Sequence, residues 1–379
     1  MILVLALIMV SFQTYPEVIS LDKKRSIING EAALDSLPIT ISQFTSVRSA
    51  GGKNDFYSEG DYWWPDPANP DGPYIRKDGN SNPENFVAHR LALMRLSEIA
   101  GALGAAYKFT DDEKYAKALL VHLKAWFVNN DTKMNPHLRY AQAIMGKVEG
   151  RGIGIIDTIH LVEVIMAVRA IMNSTSWKSE NNQAIIDWFE EYLHWLTSHP
   201  FGEKEKYNGN NHSTTFALQV AALAMITDSE EVVHEYSKFY KSYILPEQMD
   251  DLGRFPKEIS RTKPYAYSMF NLDAMASLVQ ILTRAGVEGL YEFELNDGRS
   301  LAKGVNYLAP FLENKSEWPY QKDIQYWEDL PWQSPALLFS GLALGRKDWI
   351  HTWKRLSTNN EIYEIKRNTF VRYPVIWIE

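Results

Sequence analysis

The sequence predicts an all-α protein in which amphipathic helices pair around a single domain. From about residue 85 onward, apolar residues recur at helical spacing. Mostly short or medium loops join these segments, and strands do not alternate with helices. The chain also lacks a repeated 34-residue consensus, which disfavours a solenoid of the TPR type. A toroid of about six or seven helical hairpins, with an inner and an outer ring, would accommodate the whole chain as one domain.

The helices follow in order from apolar periodicity and from start and stop signals. The first covers 85–107, and a capping box at 110–113 begins a second that carries Trp126 on its apolar face. A second capping box lies at 228–231. Pro200, Pro246 and Gly286 lie where helices should end. The remaining helices are expected at 154–172, 179–196, 212–227, 230–244, 265–285, 298–312 and 334–344.

Three stretches do not have the helical pattern of the rest of the chain. Segment 46–85 is rich in Gly, Pro, Asp and Asn, which is typical of an irregular functional segment. The tail 361–379 alternates in the manner of a strand. The opening run MILVLALIMV is too short to span a bilayer and has the form of a secretory signal. We therefore predict a signal peptide or N-terminal segment at 1–24, one domain at 25–379, and export to a bacterial periplasm.

Composition excludes several kinds of function. Of 379 residues, 39 are Lys or Arg and 47 are Asp or Glu, so the net charge of −8 offers no general attraction to nucleic acid. The absence of Cys rules out disulfides, thiolate metal sites and Cys nucleophiles. No HExxH-type spacing is present, so we predict neither a metal nor a cofactor. We expect no nucleic-acid or membrane partner, and the sequence carries no signal of oligomeric state.

Two motifs place reactive side chains near helix starts. Asn211 and His212 end the run YNGNNH before an apolar helix; the run is either a turn with a helix cap or a site for an anion. The stretch 253–267 holds four basic residues and two tyrosines, and is either a solvated loop or a cationic site. If the loop folds back, the Arg261 guanidinium would lower the pKa of a nearby phenol.

Two further motifs could bind sugar. One is NPHLRYAQ at 135–142, followed by Gly150-Arg151-Gly152, which is rich in groups that hydrogen-bond hydroxyls and carboxylates. The other is DYWWPDP at 61–67, followed by PYIRKDG at 73–79. Its adjacent Trp63 and Trp64 cannot both face one side of the core, so at least one should line a groove or pack beneath the loop.

Four segments together resemble the alginate lyase superfamily, and within it polysaccharide lyase families 38 and 5. They are YWWPDPANPDGPYIRKDG, MNPHLRYAQAIMGKVEGRGIGIIDT, NGNNHSTTFALQ and GRFPKEISRTKPYAYSMFNL, and the likeness runs from about residue 46 to 327. The resemblance implies an (α/α) toroid and a metal-independent lyase that cleaves an acidic polysaccharide, a polyuronate, by β-elimination. It assigns catalysis to Asn211, His212, Arg261 and Tyr267, with Tyr265 as the alternative tyrosine.

The substrate is expected to be alginate, including polymannuronate, or glucuronan. One alternative is a glycoside hydrolase with a carboxylate pair drawn from Glu258, Asp273, Asp323 and Glu328, and another is a noncatalytic polyuronate-binding protein. The residues expected to bind substrate are Asn135, Tyr140, Gln142, Arg151, Trp63, Trp64, Tyr265 and Lys263.

Overall fold

The structure is a computed structural model that describes residues 16–179, 182–357 and 361–378. Within these ranges the strands are β1 (Tyr57–Glu59), β2 (Trp63–Trp64), β3 (Ile75–Arg76) and β4 (Tyr140–Ala143). The α-helices are α1 (Pro16–Ala33), α2 (Ala88–Thr110), α3 (Glu113–Phe127), α4 (Leu161–Ile171), α5 (Thr175–Ser179), α6 (Gln183–Ser198), α7 (Pro200–Lys206), α8 (Asn211–Ile226), α9 (Glu230–Phe239), α10 (Leu245–Gln248), α11 (Pro256–Ile259), α12 (Pro264–Arg284), α13 (Leu301–Glu313), α14 (Pro335–Ala343), α15 (Lys347–Arg355), α16 (Tyr363–Asn368) and α17 (Val375–Ile378).

Five helices form an inner row, namely α2, α4, α8, α12 and α14. They are buried around most of their circumference, as expected for helices covered on every side. Each packs on the next in this order, while the amphipathic helices α3, α6, α9, α13 and α15 lie outside them. Helix α17 contacts α2, α4 and α12, and its Trp377 stacks on Phe339 of α14, so this last helix joins the two ends of the row. This arrangement is the incomplete (α/α) toroid that the sequence predicts.

The helix-start signals are only partly realised. Asp112 caps α3 by accepting a hydrogen bond from the backbone N–H of Lys114, as the first capping box predicts. Helix α9 also begins at Glu230, but the Ser229 hydroxyl pairs with Thr227 instead of capping the helix. Local signals therefore locate these helix starts even where the predicted side-chain contact is replaced.

The strand-like tail is a correction, because the structure forms α16 and α17 there. The backbone N–H groups of Arg372 and Tyr373, and the indole N–H of Trp377, all donate to the buried carboxylate of Glu163. The hydrogen-bond donors of this part of the tail are therefore satisfied by a side chain and not by a neighbouring strand. The alternating apolar residues reflect burial against several helices.

Helix α1 was not predicted, and it crosses the expected boundary between residues 24 and 25. Its Val18 and Asp22 are buried, and Asp22 accepts a hydrogen bond from the backbone of Val375. The proposed signal segment falls mainly on residues 1–15, which lie outside the described residues. None of the helices in the described ranges combines the length and apolarity needed to cross a membrane.

Segment 46–85 is held by two short strand pairs. Strand β1 runs parallel to β4, and β2 pairs antiparallel with β3. The first pair joins the segment to residues 140–143, and the second lies within the segment. Asp61 contacts Arg90 of α2, and Tyr62 contacts Tyr267 of α12, so this part of the segment lies beside the inner helices.

Candidate active site

A cavity of about 340 Å³ opens where segment 46–85, the starts of α8 and α12, and helix α16 meet. Five arginines line it in a chain whose net charge is −8, so the positive charge is concentrated locally. Such a cavity suits an anionic ligand. The residues that line it are Asp61, Tyr62, Trp63, Arg76, Arg90, Gln142, Arg151, Ile153, Ile156, Asp157, Ile159, His160, Asn208, Asn210, Asn211, His212, Arg261, Tyr267, Phe270, Arg367 and Asn368.

Tyr267 projects from the first turns of α12 into this cavity. Its hydroxyl lies 2.7 Å from the hydroxyl of Tyr62, and the Arg261 guanidinium lies over its ring, 4.6 Å from the centroid. Burial and the neighbouring Tyr62 raise the pKa of Tyr267 well above its ordinary value, while the charge of Arg261 acts in the opposite direction. The loop before α12 therefore folds back, as a contact between Arg261 and a tyrosine requires.

Asn211 begins α8, and a buried carboxylate holds it there. Its backbone N–H and its side-chain amide donate to the two oxygens of Glu258, at 2.7 and 2.8 Å. Burial raises the pKa of Glu258, although the two Asn211 hydrogen bonds oppose this shift. The Asn211 amide keeps a second N–H that can be donated to a ligand.

His212 is oriented in a similar way. Its Nδ1 lies 2.6 Å from Oε1 of Glu205, a residue that is 1% exposed. With Nδ1 engaged by a carboxylate, Nε2 is the ring nitrogen available on the cavity side. The backbone N–H of His212 donates to the Asn210 side chain, so Asn210 caps the helix while the next two residues face the cavity.

Arg151 forms the opposite wall of the cavity together with Gln142 and Trp63. Its Nε and Nη2 donate to the backbone and side-chain oxygens of Gln142, which has a left-handed φ of 51°. The guanidinium lies 5.8 Å from the Trp63 ring centroid. Within the described residues no carboxylate lies within 4 Å of Arg151. Burial lowers the pKa of Arg151 to about 10, so the side chain remains charged at neutral pH.

Paired charges form the floor of the cavity. Asp61 lies between Arg90, at 2.7 Å, and Arg367, at 2.5 Å, and Arg90 also pairs with Asp157 at 2.9 Å. Burial alone would raise the pKa of Asp61, but the charges of Arg367 and Arg90 outweigh it and lower the pKa to about 2. The two carboxylates at the floor are therefore occupied by structural arginines.

The structure brings seven of the predicted site residues to the cavity. All four predicted catalytic residues are among them. The seven are Asn211, His212, Arg261, Tyr267, Gln142, Arg151 and Trp63.

Two predicted binding residues are corrected, because they are buried away from the cavity. Tyr265 lies two positions before Tyr267, which on a helix turns its side chain by about 200°. Its hydroxyl donates to the backbone oxygen of Phe311 at 2.9 Å. Lys263 is 2% exposed, and its ammonium group donates to Glu364 at 3.0 Å.

Three other predicted binding residues also lie outside the cavity. Trp64 follows Trp63 on a strand and so points to the opposite side, where its indole donates to the backbone of Asn80. Asn135 donates to Asp55. Tyr140 packs edge-on against the ring of His137.

Several functional candidates were missed by sequence reasoning. Tyr62 and Asp78 lie within motifs that had been singled out, so those motifs were the signal for them. Arg90 and Arg367 carried no such signal, because an isolated Arg on a helix resembles any surface residue. Among the described residues, no three His, Asp or Glu side chains converge as metal ligands would.

None of the four carboxylates considered for a hydrolase lines the cavity. Glu258 holds Asn211, and Asp273 accepts hydrogen bonds from Trp332 and Ser334. Asp323 accepts from the first backbone N–H groups of α12. These contacts give the buried carboxylates structural roles and do not favour the hydrolase alternative.

Comparison with known proteins identifies relatives for most of the chain. A family model described as "Alginate lyase" matches residues 40–318. A crystal structure of an alginate lyase from Bacteroides ovatus is 30% identical, with 94% of this chain and 93% of that chain covered and a TM-score of 0.82.

More distant structures share the fold. Alginate lyase A1-III from Sphingomonas species A1 is 14% identical, with 85% of this chain and 86% of that chain covered and a TM-score of 0.55. A His-to-Ala variant of A1-III complexed with a tetrasaccharide is 13% identical, with 85% and 84% covered and a TM-score of 0.57. Curated protein sequences give no match.

Proposed function

This chain belongs to the alginate lyase family, and from that premise we propose that it cleaves alginate by β-elimination with Tyr267 as both base and acid. The observation that carries the proposal is the meeting of Tyr267, Arg261, Asn211 and His212 on one arginine-rich cavity. These groups come from two separate segments: Asn211 and His212 lie at the start of α8, and Arg261 and Tyr267 lie in the loop before α12 and in its first turn.

The chemistry explains why these four groups are needed together. Elimination removes the proton from C5 of a uronate and expels the glycosidic oxygen from C4. The C5 proton is weakly acidic, because the neighbouring carboxylate resists gaining further negative charge. The second N–H of Asn211 and the Nε2 side of the His212 ring would bind that carboxylate as charge develops. Glu258 and Glu205 keep the two donors in place.

Tyr267 would act as a phenolate, a form that burial disfavours and that the charge of Arg261 favours. It takes the proton from C5, the C4–O4 bond breaks as the C4–C5 double bond forms, and the phenol then returns the proton to O4. These two proton transfers regenerate the phenolate, so the reaction consumes no other proton source. The Arg261 guanidinium, whose charge lowers the pKa of Tyr267, would stabilise the phenolate between turnovers.

The use of one phenol for both transfers favours a particular stereochemistry. In β-D-mannuronate the C5 hydrogen and the C4 oxygen lie on the same face of the sugar, within reach of a single group. We therefore propose that polymannuronate is the substrate for which Tyr267 acts as both base and acid. In α-L-guluronate the two lie on opposite faces, and His212 would have to act as the base. Glucuronan shares the mannuronate stereochemistry at C4 and C5, so discrimination against it depends on contacts near C2.

Arg151 would contribute to substrate binding. Its charge has no carboxylate partner among the described residues, whereas the other four arginines of the cavity each pair with one. A uronate carboxylate would supply that partner, with the sugar ring against Trp63.

The test is incubation of the purified protein with polymannuronate, polyguluronate and glucuronan. A lyase produces ultraviolet absorbance from the new double bond, whereas a hydrolase produces reducing ends without absorbance and a binding protein produces neither. We expect absorbance to rise fastest with polymannuronate. No rise with any of the three polymers would refute the proposal, and a faster rise with polyguluronate would refute the assignment of the base.

A further inference from the structure

Asp78 is the sole carboxylate within ion-pairing distance of Arg261 among the described residues. Oδ1 accepts from Nη2 of Arg261 at 2.9 Å, and Oδ2 accepts from Nε at 3.1 Å, so the contact is bidentate. The Thr262 hydroxyl donates to the same carboxylate at 3.1 Å, and Arg76 donates to it at 2.6 Å.

The backbone beside Asp78 is shaped to make this contact. Gly79 has a φ of 73°, which L side chains rarely adopt, and a Cβ at this position would collide with the Thr262 side chain. Segment 46–85 can therefore approach the loop before α12 closely at this point. The close approach brings the Asp78 carboxylate to the guanidinium of Arg261.

Two parallel hydrogen bonds restrict a planar guanidinium more than a single charge contact does. The Arg261 side chain is 24% exposed, so without this partner it could turn toward water. With the partner in place it lies over the Tyr267 ring. The same ring is bounded on its hydroxyl side by Tyr62, and Glu364 is a further charge that acts on it.

We propose that Asp78 is a positioning residue, whose bidentate contact holds the Arg261 guanidinium over the ring of Tyr267. The inference rests on the proposed function, because it concerns the acid and base of that reaction. Positioning and simple charge neutralisation predict opposite effects of removing Asp78 on the positive charge near Tyr267. If Asp78 only offset the charge of Arg261, its removal would strengthen the cation near Tyr267; if it positions Arg261, its removal takes the cation away.

The test compares Asp78→Asn with wild-type enzyme on polymannuronate, and Asp66→Asn provides the matched control. Asp66 lies in the same segment and outside the cavity, and its carboxylate accepts from the backbone of Ala68. We expect kcat of Asp78→Asn to fall by ~10–100-fold, with a smaller change in KM and an alkaline shift of the acid limb of the pH profile. The Asp66→Asn control should stay within ~2-fold of wild type.

A double-mutant cycle separates positioning from a general structural role. In an Arg261→Ala background, Asp78→Asn should cause no further loss beyond ~2-fold, because the group that it positions is gone. A further loss equal to that in wild type, or a shift of the acid limb to lower pH, would overturn the inference. If Asp78→Asn fails to fold, Asp78→Glu replaces it. This variant keeps a carboxylate to hold Arg261, so it should keep the wild-type acid limb and a higher kcat than Arg261→Ala; a displaced limb would overturn the inference as well. Inactive wild-type enzyme would instead refute the proposed function.

Discussion

Tyr267→Phe removes a single oxygen atom from the cavity and tests the assignment of the acid and base directly. General acid–base catalysis is worth about 10²–10⁴-fold, so kcat should fall by at least this factor if one phenol serves both transfers. The upper figure corresponds to about 5.5 kcal/mol of transition-state stabilisation. The loss of the 2.7 Å contact with Tyr62 should also lower the free energy of unfolding by about 1–3 kcal/mol.

The same helix offers a matched control in Tyr265→Phe. This variant loses the same atom from a residue two positions away, and its hydroxyl also makes one hydrogen bond, to Phe311 at 2.9 Å. We expect a similar loss of stability, about 1–3 kcal/mol, with turnover unchanged because the side chain faces away from the cavity. The pair thus separates loss of a buried hydrogen bond from loss of chemistry.

Both variants are assayed by the initial rate of ultraviolet absorbance with polymannuronate and by thermal unfolding. The reasoning predicts that only Tyr267→Phe loses activity while both lose stability. If Tyr267→Phe retained wild-type turnover, or if Tyr265→Phe lost as much activity as Tyr267→Phe, the assignment of the base would be refuted.

Other predictions concern Asn211, Asp61 at the floor of the cavity and Arg151 in its wall. Asn211→Ala should lower kcat by about 10²–10³-fold, since it removes one preorganised donor; a change confined to KM would contradict this role. Asp61→Asn leaves Arg90 and Arg367 without their shared partner, so the free energy of unfolding in denaturant titrations should fall by about 3–5 kcal/mol at pH 7. The folded-state pKa of Asp61 is depressed, so its stabilising contribution is present above about pH 4 and is lost as the pH falls toward 2; an equal difference between variant and wild type at pH 2 and 7 would disprove this. Arg151→Gln should raise KM for polymannuronate by about 10–100-fold, and an unchanged KM would exclude its contact with a substrate carboxylate.

The helical fold was largely predictable because its signals are local. Apolar spacing and caps located α2, α3, α8 and α12 to within a few residues. The strand prediction for the tail was wrong because the backbone donors there are satisfied by Glu163, about 200 positions earlier in the chain. Helix α1 was not predicted because its sequence is charged and only weakly amphipathic.

The site was predictable where a motif places a side chain directly at a helix start. Asn211 and His212 were found in this way, and Tyr267 and Arg261 through the likeness to known lyases. The choice between Tyr265 and Tyr267 was not decided by the spacing, and it depends on which face of α12 meets the cavity.

The sequence by itself determined the class of fold and the lack of any thiol chemistry, because these follow from residue type and local periodicity. Its likeness to known lyases pointed to four candidate side chains for an elimination. Only the tertiary structure decided that Glu258, Glu205 and Asp78 contact three of the four, and that Tyr62 contacts the fourth. Such contacts join residues from 7 to 205 positions apart. A hydrogen bond acts over about 3 Å of space whatever the separation along the chain, so it becomes visible only when the chain is folded.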